Sequence, residues 1–112
     1  MKEKEKIIYT EYLRKSFSSS TPEKLLFLAV ILQALLDATK PRTKNETDIS
    51  IIARDRAKAW FFAPVGVTCQ NFEVVCDNAD LSPSYVRSFA YKVLQSGEIE
   101  YVRKRINKIL NK

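Results

Sequence analysis

A chain of 112 residues, 46% of them hydrophobic, is long enough to form one folded domain whose core needs no disulfide or metal. Two glycines and four prolines are too few for a turn-rich β fold, whereas helices joined by short polar loops need few of either. The net charge of +6 favours a polyanionic partner, and the lack of histidine, with only two cysteines, argues against a zinc site.

The positive charge is spread over three segments and is not gathered in one tail. Residues 1–16 hold five basic and three acidic side chains, residues 40–58 hold six and three, and residues 97–112 hold five and two. A basic surface that only keeps the protein soluble would have the same charge. Charge alone therefore does not select a function.

The N-terminal segment 1–20 is highly charged and has a narrow apolar side. We expect it to be only partly ordered and to precede a helical domain over 21–112. Its apolar positions are Ile7, Ile8, Tyr12 and Leu13.

Thr21 and Pro22 provide a helix cap and a proline suited to a first helical turn, so a helix is predicted over 22–39. This helix is apolar nearly all round, which is typical of a central core helix, and a homodimer contact is the alternative use of such a face. Its apolar run over 25–36 is too short to cross a membrane.

A polar loop over 40–48 separates this helix from the next, for which Thr47 or Asp48 is the predicted cap. Apolar residues then recur at helical spacing up to an aromatic cluster, and we expect the cluster to be mainly core. Arg54, Arg56 and Lys58 lie off this predicted stripe. The stripe consists of Ile49, Ile52, Ala53, Ala57, Trp60 and Phe61.

Two short helices, about 70–79 and 83–95, follow a loop that contains Cys69, and together they match a helix-turn-helix over about 71–95. Such a unit needs apolar or small residues where its helices touch, and its turn usually holds glycine. Asp80 occupies that turn position, and aspartate tolerates the left-handed conformation better than most residues. The predicted core positions are Val75, Cys76, Ala79, Leu81, Val86 and Phe89.

The second helix of this unit begins with Ser82 as cap and Pro83 at the first position. Helical spacing then leaves a polar face opposite the core. Hydroxyl and guanidinium groups there suit base edges and phosphates. The predicted groove contacts are Ser84, Arg87, Ser88 and Tyr91.

A final helix is predicted over 98–111, after Gly97 as the cap that ends the preceding helix. Ile99, Val102, Ile106 and Ile109 form its apolar side. Basic residues on its other side would bind phosphates on either side of a groove. The predicted phosphate contacts are Lys92, Lys104, Arg105 and Lys108.

The segment 53–89 resembles a pattern found in small, largely uncharacterised phage and prophage-type bacterial proteins. The resemblance implies a helix-turn-helix-like protein of mobile-element origin and gives no target. Asp80, where the pattern tends to have glycine, is the main departure. The matching residues are Trp60, Phe61, Phe72, Val75, Cys76, Leu81, Pro83, Val86 and Arg87.

These patterns predict an all-α domain of five or six helices that binds double-stranded DNA as a cytoplasmic transcriptional regulator. A protein–protein adaptor using the same helical surface and an RNA-binding protein are the alternatives. We expect no enzyme, because the chain has no histidine base and no glycine-rich phosphate loop, and Cys76 occupies a core position. No metal, cofactor or membrane contact is expected, and both cysteines are expected to be reduced.

Overall fold

The computed structural model describes residues 21–111, and the predicted N-terminal segment 1–20 lies outside them. The described residues form five helices and no strand, which confirms the all-α prediction. The helices are α1 (Pro22–Ala38), α2 (Asp48–Phe62), α3 (Val67–Asn78), α4 (Pro83–Gln95) and α5 (Ile99–Leu110).

Helix α1 is the centre of the fold and packs against α2, α3 and α5. It starts as predicted, because the Thr21 side chain accepts a hydrogen bond from the Lys24 amide and Pro22 follows. Leu28, Leu32 and Leu35 are buried, but Leu26 is 70% exposed. One side of α1 therefore stays open. No helix over residues 21–111 is long and apolar enough to cross a bilayer.

The C-terminal end of α1 is held by α5. Nη1 of Arg103 donates to the carbonyl oxygen of Leu36 and, at 2.9 Å, to Oγ1 of Thr39. Because the last turn of α1 contains no basic residue, Arg103 supplies the positive charge that the carbonyl end of a helix favours.

Helix α2 turns a different face to the core from the one predicted. Ser50, Arg54, Ala57 and Phe61 face inward, whereas Ile49 is 81% exposed and Ile52 is also exposed. The prediction was wrong at Ile49, Ile52 and Arg54. It treated arginine as a surface residue, but here the loop before α2 surrounds the guanidinium with acceptors.

Three acceptors account for the burial of Arg54, which is 2% exposed. Its Nε donates to the carbonyl of Lys40 at 3.0 Å and its Nη2 to that of Pro41 at 3.4 Å. Nη2 also forms an ion pair with Glu46. A buried charge must be paired and hydrogen-bonded, and these contacts meet that requirement for two of the three guanidinium nitrogens.

Helix α3 begins at Val67, earlier than predicted, because Gly66 provides the turn into it. Gly66 has φ 95° and ψ −172°, a conformation that is essentially restricted to glycine. The added turn places Cys69 on the buried side of α3, so the prediction that it lies in a loop was wrong. Cys76 is buried as predicted.

Residues 79–82 connect α3 to α4, and the left-handed residue expected in this turn is present. Asp80 has φ 61°. The Leu81 amide donates to the Cys76 carbonyl at 2.9 Å and the Asp80 amide donates to the Asp77 carbonyl at 3.0 Å, the hydrogen-bond pair of a Schellman ending. Asp80 takes the place that glycine usually has there.

The six predicted contact positions between α3 and α4 belong to the core. Five are buried and Leu81 is half-buried against them. Ser82 caps α4 as predicted, accepting from the Tyr85 amide at 3.4 Å. The prediction of a cap at Gly97 was wrong. Helix α4 ends at Gln95 and is capped by Ser96, whose Oγ donates to the Val93 carbonyl at 2.8 Å.

Candidate functional site

The outer face of α4 is open to solvent along its length. Ser84, Ser88, Tyr91 and Lys92 are all exposed, with Tyr91 at 58%. Helix α4 contains no acidic residue, so no carboxylate on this helix opposes an approaching anion. The predicted polar face therefore exists, with one exception.

That exception is Arg87, which is half-buried and does not project into solvent. Its Nε donates to the carbonyl oxygen of Phe61 at 2.8 Å, and its guanidinium carbon lies 4.9 Å from the centre of the Phe72 ring. Helix α2 ends at Phe62 without a basic residue in its last turn, so its carbonyl end attracts a cation from the neighbouring helix. The prediction that Arg87 lies on the open face was wrong.

The predicted phosphate contacts of α5 are accessible to different degrees. Lys104 and Lys108 are exposed, whereas Arg105 is half-buried. Within residues 21–111 none of the three forms an ion pair. No hydrogen bond or ion pair within residues 21–111 joins them to Ser84, Ser88 or Tyr91. Direct contacts therefore do not connect the two sets of residues.

A basic cleft that the sequence prediction missed lies where the α1–α2 loop meets α2 and the junction of α4 with α5. Its volume is about 360 Å³. Four of its lining residues are basic, and Glu100 is the one acidic residue among them. The basic residues are Lys40, Arg42, Arg54 and Lys58. The six basic residues of segment 40–58 were the only sequence signal for it.

Tyr91 lies on the side of α4 that runs toward this basic cleft. Arg87 contacts the end of α2, and Leu94 lines the cleft with Lys58. Because Arg87, Tyr91 and Leu94 are four and three residues apart, they share one side of α4. Tyr91, which is exposed, therefore lies on α4 between the residue that contacts α2 and the residue that lines the cleft.

Glu46 contacts the basic cleft indirectly, through its ion pair with the lining residue Arg54. Oγ of Ser50 donates to the Glu46 carboxylate at 2.8 Å. This hydrogen bond, followed by the contact with Arg54, lowers the pKa of Glu46 below its ordinary value of 4.5. The carboxylate is therefore ionised at neutral pH and stays paired with Arg54.

Cys76 is a poor nucleophile in this environment. Burial, followed by the nearby Asp77 carboxylate, raises the pKa of the Cys76 thiol to about 11. A thiol with such a pKa is protonated at neutral pH, whereas the thiolate is the reactive form. The Arg87 guanidinium acts in the opposite direction and lowers the pKa, but it does not offset the effect of burial.

An apolar groove of about 530 Å³ runs between α1 and α2. Val30 and Ala34 line one wall and Trp60 lines the other, while Nε1 of Trp60 donates to Asn71 at 2.7 Å. Asp37 and Arg56 add one charge of each sign. The aromatic cluster thus belongs partly to the core and partly to this groove. The use of α1 in a homodimer stays a prediction.

Comparison with known proteins gave no match to a family model, a curated protein or a solved structure. The resemblance to phage-type proteins therefore stays an expectation from the sequence.

Proposed function

We propose that α3 and α4 form a helix-turn-helix that binds double-stranded DNA, with the outer face of α4 in the major groove. The observation that carries the proposal is the open, acid-free face of Ser84, Ser88 and Tyr91 on a helix whose start is fixed by Ser82. A recognition helix needs such a face, rigidly held, because its N-terminal residues contact base edges.

In this proposal Arg87 acts by positioning α4 and not by contacting bases. Its hydrogen bond to Phe61 and its place over the Phe72 ring fix α4 relative to α2 and α3. Ser84 and Ser88 contact bases or phosphates, and Tyr91 donates to a phosphate at the groove edge.

The backbone contacts come from outside α3. Glu73 and Asp77 are exposed on α3, and their carboxylates repel phosphates. Lys92 on α4 and the basic residues of α5 attract phosphates instead. The proposed phosphate contacts are Lys92, Lys104, Arg105 and Lys108.

A charge placed on the α4 face tests the proposal. We expect Ser88→Glu to abolish binding to a fluorescent duplex selected from a random pool, because a carboxylate in the groove would face the phosphates. Gln33→Glu adds the same charge on the exposed side of α1 and should leave binding unchanged. Lys104→Ala should lower the salt dependence of binding by a slope of about 1.

Two results would contradict DNA binding by α4. One is negligible duplex affinity at low salt, where phosphate contacts are strongest. The other is equal binding by Ser88→Glu and the unchanged protein, which would place any DNA contact elsewhere.

Protein binding is the second candidate function, and the apolar groove between α1 and α2 favours it. Val30 lines this groove and is exposed. Leu26 and Ile52 are also exposed, and each lies four residues before a groove residue on the same helix face. Contiguous exposed apolar surface is typical of protein contacts. A photoreactive residue at Val30 should crosslink a partner in cells, whereas the same residue at exposed Gln70 should not.

A further inference from the structure

We propose that the basic cleft between the α1–α2 loop, α2 and the α4–α5 junction is a binding site for a phosphate group. This inference does not require the protein to bind DNA through α4. It rests on the charge, burial and shape of the cleft alone.

Three of the four basic residues in the cleft have no ion-pair partner among residues 21–111. They are Lys40, Arg42 and Lys58. Glu46 pairs with Arg54 and so offsets that one charge. Glu100 is the one acid in the wall, which leaves positive charge in excess. Such an excess in a concave site attracts an anion more strongly than the same charges on a flat surface.

Arg54 gives the cleft a rigid, preformed wall. It is 2% exposed, and it fixes the loop by donating to the carbonyls of Lys40 and Pro41. Lys40 and Arg42 are therefore carried on backbone that is already held in place, which reduces the ordering cost of binding. Nη1 of Arg54 is buried and has no hydrogen-bond partner within the described structure. One guanidinium nitrogen of this cleft-lining arginine thus has no hydrogen-bond partner.

The negative end of α1 does not cancel this charge. Thr39 and Ala38 line the cleft at the C-terminal end of α1, where helix carbonyls are partly negative. However, Arg103 binds the Leu36 carbonyl and Oγ1 of Thr39 binds the Leu35 carbonyl. These contacts supply partners for the carbonyls that would otherwise repel an anion.

A phosphate fits this site better than a carboxylate does. Several converging cations suit a group with two negative charges and three oxygens that accept hydrogen bonds. The volume of about 360 Å³ exceeds what one phosphate needs and lies in the range of about 300–1,000 Å³ that small-molecule sites have. Leu94 and Ile99 add an apolar wall that suits the sugar or carbon chain bearing the phosphate.

Calorimetry with inorganic phosphate and with pyrophosphate, against potassium chloride at equal ionic strength, tests the site. We expect saturable binding of the phosphates and none of chloride. Lys58→Gln and Arg42→Gln should each weaken binding roughly ten-fold, because each removes a charge-assisted contact. Arg56→Gln removes an equal charge from the exposed side of α2, outside the cleft, and should have no effect.

Absence of saturable binding would overturn the proposal. Equal weakening by Arg56→Gln and Lys58→Gln would also overturn it, since the protein would then attract anions by net charge only. Thermal unfolding of each variant without phosphate shows whether a loss of binding reflects a loss of folding.

A nucleic-acid backbone and a phosphorylated small molecule offer the same group, and a competition experiment separates them. Displacement of bound pyrophosphate by a random-sequence duplex would assign the cleft to the nucleic-acid backbone. Pyrophosphate that stays bound at saturating duplex, or in a protein without duplex affinity, would assign it to a small phosphorylated ligand. Both outcomes support a phosphate site.

Discussion

Arg87 donates from Nε to the carbonyl oxygen of Phe61 at 2.8 Å, so the C-terminal turn of α2 is completed by a cation from α4. Arg103 on α5 does the same for the C-terminal end of α1 by donating to the Leu36 carbonyl. Neither α1 nor α2 has a basic residue in its own last turn. Two arginines of the C-terminal half thus fix the C-terminal ends of α1 and α2.

Replacing Arg87 by alanine should destabilise the fold by about 1.5–3 kcal/mol, because it removes a charged donor and leaves the Phe61 carbonyl without its partner. Equilibrium unfolding in urea measures the change. Arg56→Ala removes an exposed arginine and is the matched control, with an expected effect within about 0.5 kcal/mol. Similar effects of the two substitutions would show that Arg87 does not hold α4 on α2.

The two glycines should respond oppositely to alanine. Gly66→Ala forces a side chain into a left-handed conformation and should cost about 1–3 kcal/mol. Gly97 has no positive φ, and a Cβ there would meet no atom within 4 Å. Gly97→Ala should therefore be neutral or stabilise by up to about 1 kcal/mol. Thermal unfolding of both variants measures the difference, and equal losses would contradict the glycine-specific turn before α3.

The starts of α1, α2 and α4 could be predicted from the sequence because their capping contacts are local. Thr21, Thr47 and Ser82 each accept from an amide three residues along the chain. A pattern of adjacent residues contains everything that such a cap requires. The same holds for the outward direction of Ser84 and Ser88, which follows from helical spacing.

Distant partners hold the two wrongly predicted arginines, Arg54 and Arg87, and also Arg103, for which no prediction was made. Arg54 binds the Lys40 carbonyl 14 residues away, Arg87 binds the Phe61 carbonyl 26 residues away, and Arg103 binds the Leu36 carbonyl 67 residues away. Backbone carbonyls carry no sequence signal, so three arginines look like surface residues until the helices are assembled. The basic cleft was missed for the same reason, since it joins a loop, a helix and a helix junction.

Both cysteines should resist thiol reagents in the folded protein. Cys69 and Cys76 are buried, and the pKa of the Cys76 thiol is raised to about 11. At pH 8 we expect modification by a disulfide reagent only at the rate at which the protein unfolds. Titration with and without denaturant measures this, and Cys69→Ala isolates Cys76. Fast modification of Cys76 under native conditions would contradict its burial.

The raised pKa of Cys76 also predicts a loss of stability in alkali. The unfolded thiol ionises near pH 9, whereas the folded thiol stays protonated up to about pH 11. Ionisation therefore favours the unfolded chain as the pH rises through this interval. Unfolding free energy measured at pH 8 to 11 should fall more steeply for the unchanged protein than for Cys76→Ala. Parallel curves would show that the thiol does not titrate differently in the two states.

Glu46 should make the fold sensitive to acid. Its pKa is lowered in the folded protein, first by the Ser50 hydroxyl and then by Arg54. Its contribution is therefore present above the ordinary carboxyl pKa of 4.5 and is lost as the pH falls through the lower folded value. Glu46→Gln should lower the melting temperature at pH 7, where it leaves buried Arg54 without a counter-ion, and should reduce the dependence of stability on pH below 4.5.

Ser50→Ala keeps the ion pair and removes the hydroxyl, so an intermediate acid response is expected. An unchanged acid response in Glu46→Gln would mean that other carboxylates govern acid unfolding. In that case Arg54 would be held by the carbonyls of Lys40 and Pro41 without any titrating partner.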